Sequence, residues 1–149
     1  MKAPVTRIVV ADGFRARFFE NHGIGQGIRP SDPAELSTPH PPSHEIASDR
    51  PGATRDRTGE ALHAYAPKID PKGQEKLKFV AQLGKLLTDQ AGRGAYDRLV
   101  LVADPKTLGQ LREALGKAAQ DRIYAELNKD LTQLVEREIV DHLTEIVAL

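Results

Sequence analysis

Three arginines lie close together beside a Pro-Gly turn in the stretch DRPGATRDR. They are Arg50, Arg55 and Arg57, and the neighbouring Asp49 and Gly52 complete the candidate site. A guanidinium group binds a phosphate or a carboxylate through two parallel hydrogen bonds, so this cluster favours an anionic ligand. The alternative is a solvated loop whose charges pair with one another.

The charges of the chain are unevenly distributed, although their total is balanced. The sequence has 21 Lys+Arg and 21 Asp+Glu, so there is no overall basic signal and a DNA-binding role is not expected. Residues 50–78 nevertheless contain seven Lys or Arg against four Asp or Glu, whereas residues 121–149 contain three against seven. This asymmetry predicts that the first segment faces an anionic partner such as RNA or the ribosome.

Gly73 and Gln74 lie at the start of an amphipathic stretch, IDPKGQEKLKFVAQL. A flexible glycine next to a glutamine amide is one way to build a catalytic loop. The alternative is that both residues occupy the first turn of a helix, because Asp70-Pro71 is a typical helix start. Gly and Gln are both common surface residues, so the presence of these two side by side is weak evidence for a catalytic loop. The helix-start interpretation is therefore favoured.

Two further motifs are weaker candidates for a site. HPPSHE offers His40, His44 and Glu45, but its two prolines exclude the regular helix that a spacing of four would need, so no metal is expected. HGIGQG, residues 22–27, resembles a phosphate-binding loop but opens no helix. It predicts a flexible turn, and no cofactor is expected.

Asp104 follows a run of apolar residues and precedes a proline. In α/β folds, ligands often bind outside the carboxyl end of a strand, and Asp104 lies at such a place. The residue is also a typical N-cap, which is the interpretation that the following Pro105 favours.

An N-terminal hairpin is the first element that the hydrophobic pattern predicts. Residues 5–11 are apolar and β-branched, which is typical of a buried strand. Residues 14–20 alternate and predict a half-buried strand with Arg15 and Arg17 on its wetter face. Asp12-Gly13 between them predicts a type I′ turn. Residues 21–67 hold seven of the ten prolines and predict a long loop, with a third strand near 35–37.

The second half of the chain alternates between helices and strands. A helical pattern covers residues 72–91, a buried strand follows at 96–103, and a second helix starts at Asp104-Pro105. Residues 116–131 fit either a helix or a strand. An apolar stripe over 135–147 predicts a C-terminal helix capped by Asp130 or Thr132. The sequence thus predicts one α/β layered domain over residues 1–149, with a mixed sheet that begins with the hairpin and three main helices.

The compartment is predicted from what the sequence lacks. The N-terminal stretch has no apolar core of a signal peptide, and no run is long enough to span a bilayer. There are no cysteines, which excludes thiolate sites and fits a reducing compartment. We expect a cytoplasmic protein without a membrane partner.

Several motifs together resemble the bacterial host-attachment protein family. They extend over nearly the whole chain: VVADGFRARFFE, the tetrad at residues 49–52, FVAQLGKLL, YDRLVLVADPKTLGQLREAL and LNKDLTQL. That family is similar to the middle domain of archaeal and eukaryotic translation release factors. This domain begins with an apolar strand ending in Asp-Gly and carries a Gly-Gly-Gln loop ahead of a helix. The resemblance implies a strand over residues 122–128.

The resemblance also bears on activity. In the release factors, the glutamine and the flexible glycines position water at the ester of peptidyl-tRNA. The matching residues here are Lys72, Gly73 and Gln74, so a lysine replaces the first glycine. We therefore expect a non-catalytic interaction domain that binds RNA or the ribosome. The alternatives are a peptidyl-tRNA ester hydrolase using the degenerate loop, and an indirect factor in bacterial attachment to host cells.

Overall fold

The computed structural model describes residues 3–38 and 71–149. The arginine cluster at 50–57, with Asp49 and Gly52, lies outside these residues, as do His40, His44 and Glu45. Within the described ranges, no helix combines the length and the apolar character needed to cross a membrane.

The described part of the chain contains five strands and four helices. The strands are β1 (Thr6–Ala11), β2 (Arg15–Asn21), β3 (Arg29–Ser37), β4 (Arg98–Val102) and β5 (Ile123–Leu127). The helices are α1 (Pro71–Gly92), α2 (Pro105–Ala114), the short α3 (Lys117–Gln120) and α4 (Glu136–Leu143). The ambiguous stretch after residue 116 therefore contains both a short helix and the strand that the resemblance implied.

The strands form one mixed sheet in the order β3-β2-β1-β4-β5. β1 pairs antiparallel with β2, and β2 pairs antiparallel with β3. On its other side β1 pairs parallel with β4, which pairs parallel with β5. The predicted α/β fold with a mixed sheet that begins with a hairpin is confirmed.

Both faces of the sheet are buried, each against its own helices. Val9 and Ala11 point to the face covered by α1, α2 and α3, whereas Ile8 and Val10 point to the face covered by α4. This arrangement explains why β1 and β4 contain the unbroken apolar runs 8–11 and 99–102 instead of alternating with polar residues. The molecule is thus built in three layers, with the sheet in the middle.

The turn between β1 and β2 differs from the prediction. A type I′ turn needs positive φ at both central residues, which were predicted to be Asp12 and Gly13, but neither of them has it, nor does Phe14. The Asp12 carboxylate closes the turn instead: its Oδ1 accepts hydrogen bonds from the amides of Phe14, at 2.7 Å, and Arg15, at 2.8 Å. The hairpin prediction was right, but its stated cause was wrong, because the side chain of Asp12 replaces the special backbone conformation.

β3 is longer than the third strand that was predicted within the loop over residues 21–67. The strand runs over nine residues, from Arg29 to Ser37, and therefore begins well before the predicted 35–37. Pro30 and Pro33 made the segment look like a loop. Both are tolerated because β3 is an edge strand, in which a missing N–H costs no pairing on the open side.

The loop that follows β2 makes specific contacts that the prediction of a flexible turn did not include. Gly23, Gly25 and Gly27 all have positive φ, which glycine adopts without steric cost. The amides of Gly25 and Gly27 both donate to the carbonyl oxygen of Leu149, at 2.8 and 2.9 Å, and Asn21 Nδ2 donates to the same oxygen at 3.3 Å. The loop is therefore bonded to the segment that follows α4.

The wetter face of β2 is covered by the chain just before α4. Arg17 donates to the carbonyl oxygen of Leu134 at 2.6 Å, and both Arg15 and Arg17 donate to that of Thr132. The two arginines thus anchor the loop between β5 and α4 on the sheet.

The predicted cap of the C-terminal helix was wrong. α4 starts after Val135, whose amide donates to Glu138 Oε1 at 3.4 Å. Asp130 instead accepts from the amide and hydroxyl of Thr132, at 3.0 and 2.6 Å, and closes a local turn before the helix. Because the Asp130 carboxylate bonds locally to Thr132, it does not cap the start of α4.

Candidate functional site

A cleft of about 400 Å³ opens at the edge of the sheet where β1 and β4 end. The hairpin turn, the start of α1, and the loops after β4 and β5 surround it. Its lining consists of three carboxylates, two lysines and three further residues: Asp12, Asp104, Asp130, Lys72, Lys76, Gly13, Phe14 and Gly73.

The strand order explains why the cleft lies there. After β1 the chain turns to β2 on one side, whereas after β4 it continues through α2 and α3 to β5 on the other side. The two loops therefore diverge and leave a crevice outside the carboxyl ends of β1 and β4. In open α/β sheets such a switch point is the usual place for a ligand.

The hydroxyl of Thr132 lies between Asp12 and Asp130 and is closer to Asp130. Thr132 Oγ1 lies 2.6 Å from Asp130 Oδ1 and 3.4 Å from Asp12 Oδ2. Asp12 is positioned through its Oδ1, which accepts the two amides of the hairpin turn. Within residues 3–38 and 71–149, no group of three His, Cys, Asp or Glu side chains is arranged to hold a metal ion.

Asp104 is both a helix cap and part of the cleft. Its Oδ2 accepts the amide of Thr107 at 3.1 Å, which confirms the predicted N-cap of α2. Burial by itself would raise the pKa of this carboxyl, but hydrogen bonds from Thr107 and the positive charge of Lys76 outweigh it, so the pKa lies below its ordinary value. Asp104 is therefore a carboxylate at neutral pH.

Lys76 reaches the cleft because residue 13 has no side chain. A Cβ added to Gly13 would lie 2.3 Å from Lys76 Cγ and 2.5 Å from both Cδ and Cε. The apolar stem of Lys76 thus packs directly on the hairpin turn. Gly13 was predicted to provide a special turn conformation, but its role in the structure is to let the Lys76 side chain approach the hairpin closely.

Gly73 and Gln74, the two residues of the possible catalytic loop, lie in different environments. Both lie in the first turn of α1, as the helix-start interpretation predicted. Gly73 lines the cleft, whereas Gln74 is exposed.

Lys76, Asp12 and Asp130 were not identified as site residues from the sequence, although each aspartate closely follows a predicted strand. The missing information was the strand order, which places their strand ends at one edge.

Replacing Asp104 by asparagine should change how stability depends on pH. A carboxyl whose pKa is lowered by folding contributes stability above its unfolded value, 3.8, and loses it as the pH falls through the lower folded value. Asparagine keeps a cap but cannot ionise. We expect wild type to be more stable than Asp104→Asn at pH 7, with the gap closing below about pH 4. Urea unfolding of both proteins at several pH values checks this, and a gap that widens in acid would contradict it.

Comparison with known families places most of the chain in one family. Residues 5–143 match the model of bacterial archaeo-eukaryotic release factor family 12, and no match was found among curated proteins. The matched range includes all five strands, all four helices and the whole lining of the cleft. The release-factor part of the resemblance is confirmed and suggests a role related to translation, whereas the host-attachment part stays a prediction. The chain belongs to bacterial archaeo-eukaryotic release factor family 12.

Proposed function

We propose that the protein is an interaction domain in translation that binds RNA or the ribosome without hydrolysing peptidyl-tRNA. The observation that carries this proposal is the position of Lys72, Gly73 and Gln74 inside the first turn of α1. In the release factors that the chain resembles, the corresponding glutamine belongs to a flexible loop ahead of the helix.

Helical backbone at these positions removes the freedom that the loop chemistry uses. A lysine in place of the first glycine restricts the backbone further, since only glycine enters the positive-φ region without cost. Gln74 is exposed on α1, and because it belongs to the helix, its backbone position relative to the sheet is fixed. This geometry supports a role in contact rather than in positioning a water molecule.

The distribution of charge supports an anionic partner on the α1 side. Lys72 and Lys78 are exposed near the start of α1, and Lys78 has a weak ion pair with Glu75, at 3.7 Å. α4 carries Glu136, Glu138 and Asp141 and packs on the opposite face of the sheet. The basic segment that begins with Arg50 leads directly into α1, so the basic and acidic parts are attached to different layers.

Ribosome co-sedimentation tests the proposal. We expect binding at low salt that weakens as salt rises, because phosphate contacts release counterions. Replacing Arg50, Arg55 and Arg57 together by alanine should weaken binding about ten-fold or more. The matched control is alanine at three exposed arginines elsewhere, Arg29, Arg93 and Arg137. Absence of binding at low salt, or equal weakening by both triple variants, would overturn the proposal.

A release assay on stalled ribosomes separates contact from catalysis. We expect no hydrolysis of peptidyl-tRNA above background by the wild type. Hydrolysis that Gln74→Ala abolishes would instead establish the degenerate loop as catalytic and remove the non-catalytic part of the proposal.

A further inference from the structure

We infer that the cleft at the carboxyl edge of the sheet binds a small zwitterion of the amino-acid class, with an ammonium and a carboxylate close together. Its walls carry opposite charges. Asp12, Asp104 and Asp130 come from the strand ends, and Lys72 and Lys76 come from the start of α1. The cleft shares Lys72 with the basic surface of the proposed RNA contact, but the inference rests on the cleft and does not depend on that contact.

The mixture of charges selects the class of ligand. An anion without a positive group would meet three carboxylates, and a cation without a negative group would meet two lysines. A zwitterion places its ammonium against the carboxylates and its carboxylate against the lysine ammonium groups, with charge-assisted hydrogen bonds at both ends. Free amino acids and short peptides carry both groups, and their side chain can contact the ring of Phe14.

The size of the cleft agrees with this class. Pockets for small molecules generally enclose about 300–1,000 Å³. The cleft, at about 400 Å³, lies at the lower end of that range and suits a ligand from a single amino acid to a dipeptide.

The charged groups are positioned by contacts of their own, which distinguishes the cleft from a chance group of charges. Asp12 is held by two amides of the hairpin turn, and Asp104 is held by the amide of Thr107. Lys76 is placed by its packing on Gly13. These side chains are therefore already ordered before a ligand binds. Binding is stronger for this reason, because little further side-chain entropy is lost.

Thermal unfolding of the full chain with each of the common amino acids tests the inference. We expect at least one amino acid to raise the melting temperature, because a ligand that binds only the folded state stabilises it. The amine and the carboxylic acid that share its side chain serve as single-charge controls and should have little effect. The inference is overturned if no amino acid raises the melting temperature, or if either control raises it equally.

Variants then locate the bound molecule. Calorimetry with the active amino acid should show binding weakened about ten-fold or more by Lys76→Met and by Asp104→Asn, since each loses a charged hydrogen bond. Lys85→Met, which changes an exposed lysine on the same helix, should leave binding unchanged. Gly13→Ala should also weaken binding, because it displaces Lys76. Undiminished binding in the folded Lys76 and Asp104 variants would overturn the assignment to this cleft.

Discussion

Replacing Arg7 by alanine is expected to lower the free energy of unfolding by about 3 kcal/mol. Arg7 lies on the central strand β1, and its side chain is only 4% exposed. The guanidinium donates to the side-chain oxygen of Gln90, forms an ion pair with Glu20 at 3.3 Å, and lies 5.4 Å from the centre of the Tyr96 ring. One side chain thus connects β1 with β2, with α1 and with Tyr96, two residues before β4.

The loss of stability arises mainly because alanine leaves a former partner of Arg7 without its hydrogen bond. Gln90 is 3% exposed, so its carbonyl oxygen would lose a partner in a place that water does not readily reach. Glu20 would keep its contact with His22 at 2.8 Å, and it is partly exposed. For this reason we place the cost at the lower end of the range for broken buried ion pairs, about 3–5 kcal/mol.

Urea unfolding followed by circular dichroism measures this effect. The matched control is the double variant Arg7→Met, Gln90→Leu, in which both partners of the buried hydrogen bond become apolar. We expect it to recover much of the loss, because no unpaired polar group remains at that contact. A loss below about 0.5 kcal/mol for Arg7→Ala, the size of an ordinary surface substitution, would show that the guanidinium is not essential to the core.

Alanine should have opposite effects at two helical glycines. A Cβ at Gly84 in α1 would lie 2.7 Å from both the Cβ and the carbonyl oxygen of Ala114 in α2. Because one of these atoms is backbone, the two helices would have to move apart. Overpacking of this kind costs about 1–3 kcal/mol. At Gly109 in α2 nothing lies within 4 Å, so alanine should stabilise the helix by up to about 1 kcal/mol.

The two single variants act as controls for each other, since both change Gly to Ala inside a helix. We expect their free energies of unfolding to differ by about 1–4 kcal/mol. Equal stabilisation by both would mean that α1 and α2 separate easily at this contact. Further support would come from a lower melting temperature for Gly84→Ala alone in a thermal scan.

The elements that were predicted well are those whose cause is local. The apolar runs of β1 and β4 and the Asp104-Pro105 helix start depend on neighbouring residues, so the pattern alone indicated them. β3 was largely missed, because an exposed edge strand with prolines has no apolar pattern to detect.

The site was harder to predict, because its parts are distant in sequence. Gly13 was assigned to a special backbone conformation, whereas its packing partner Lys76 is more than sixty positions away. Asp12 and Asp130 become neighbours of one hydroxyl only once β1, β4 and β5 are known to be parallel and adjacent. Periodicity and capping describe segments, and they do not specify which strand ends meet.

The hydrogen bonds from Gly25 and Gly27 to Leu149 also determine how the molecule could be attached to a surface. β2 runs antiparallel to β1, so Asn21 lies opposite Thr6, at the amino end of β1. Leu149 is therefore held at that edge, roughly 20 Å from the carboxyl edge across the six residues of β1. A linker that begins after Leu149 would leave the cleft and the first turn of α1 facing the solution, an orientation suited to measuring small-molecule and ribosome binding on an immobilised protein.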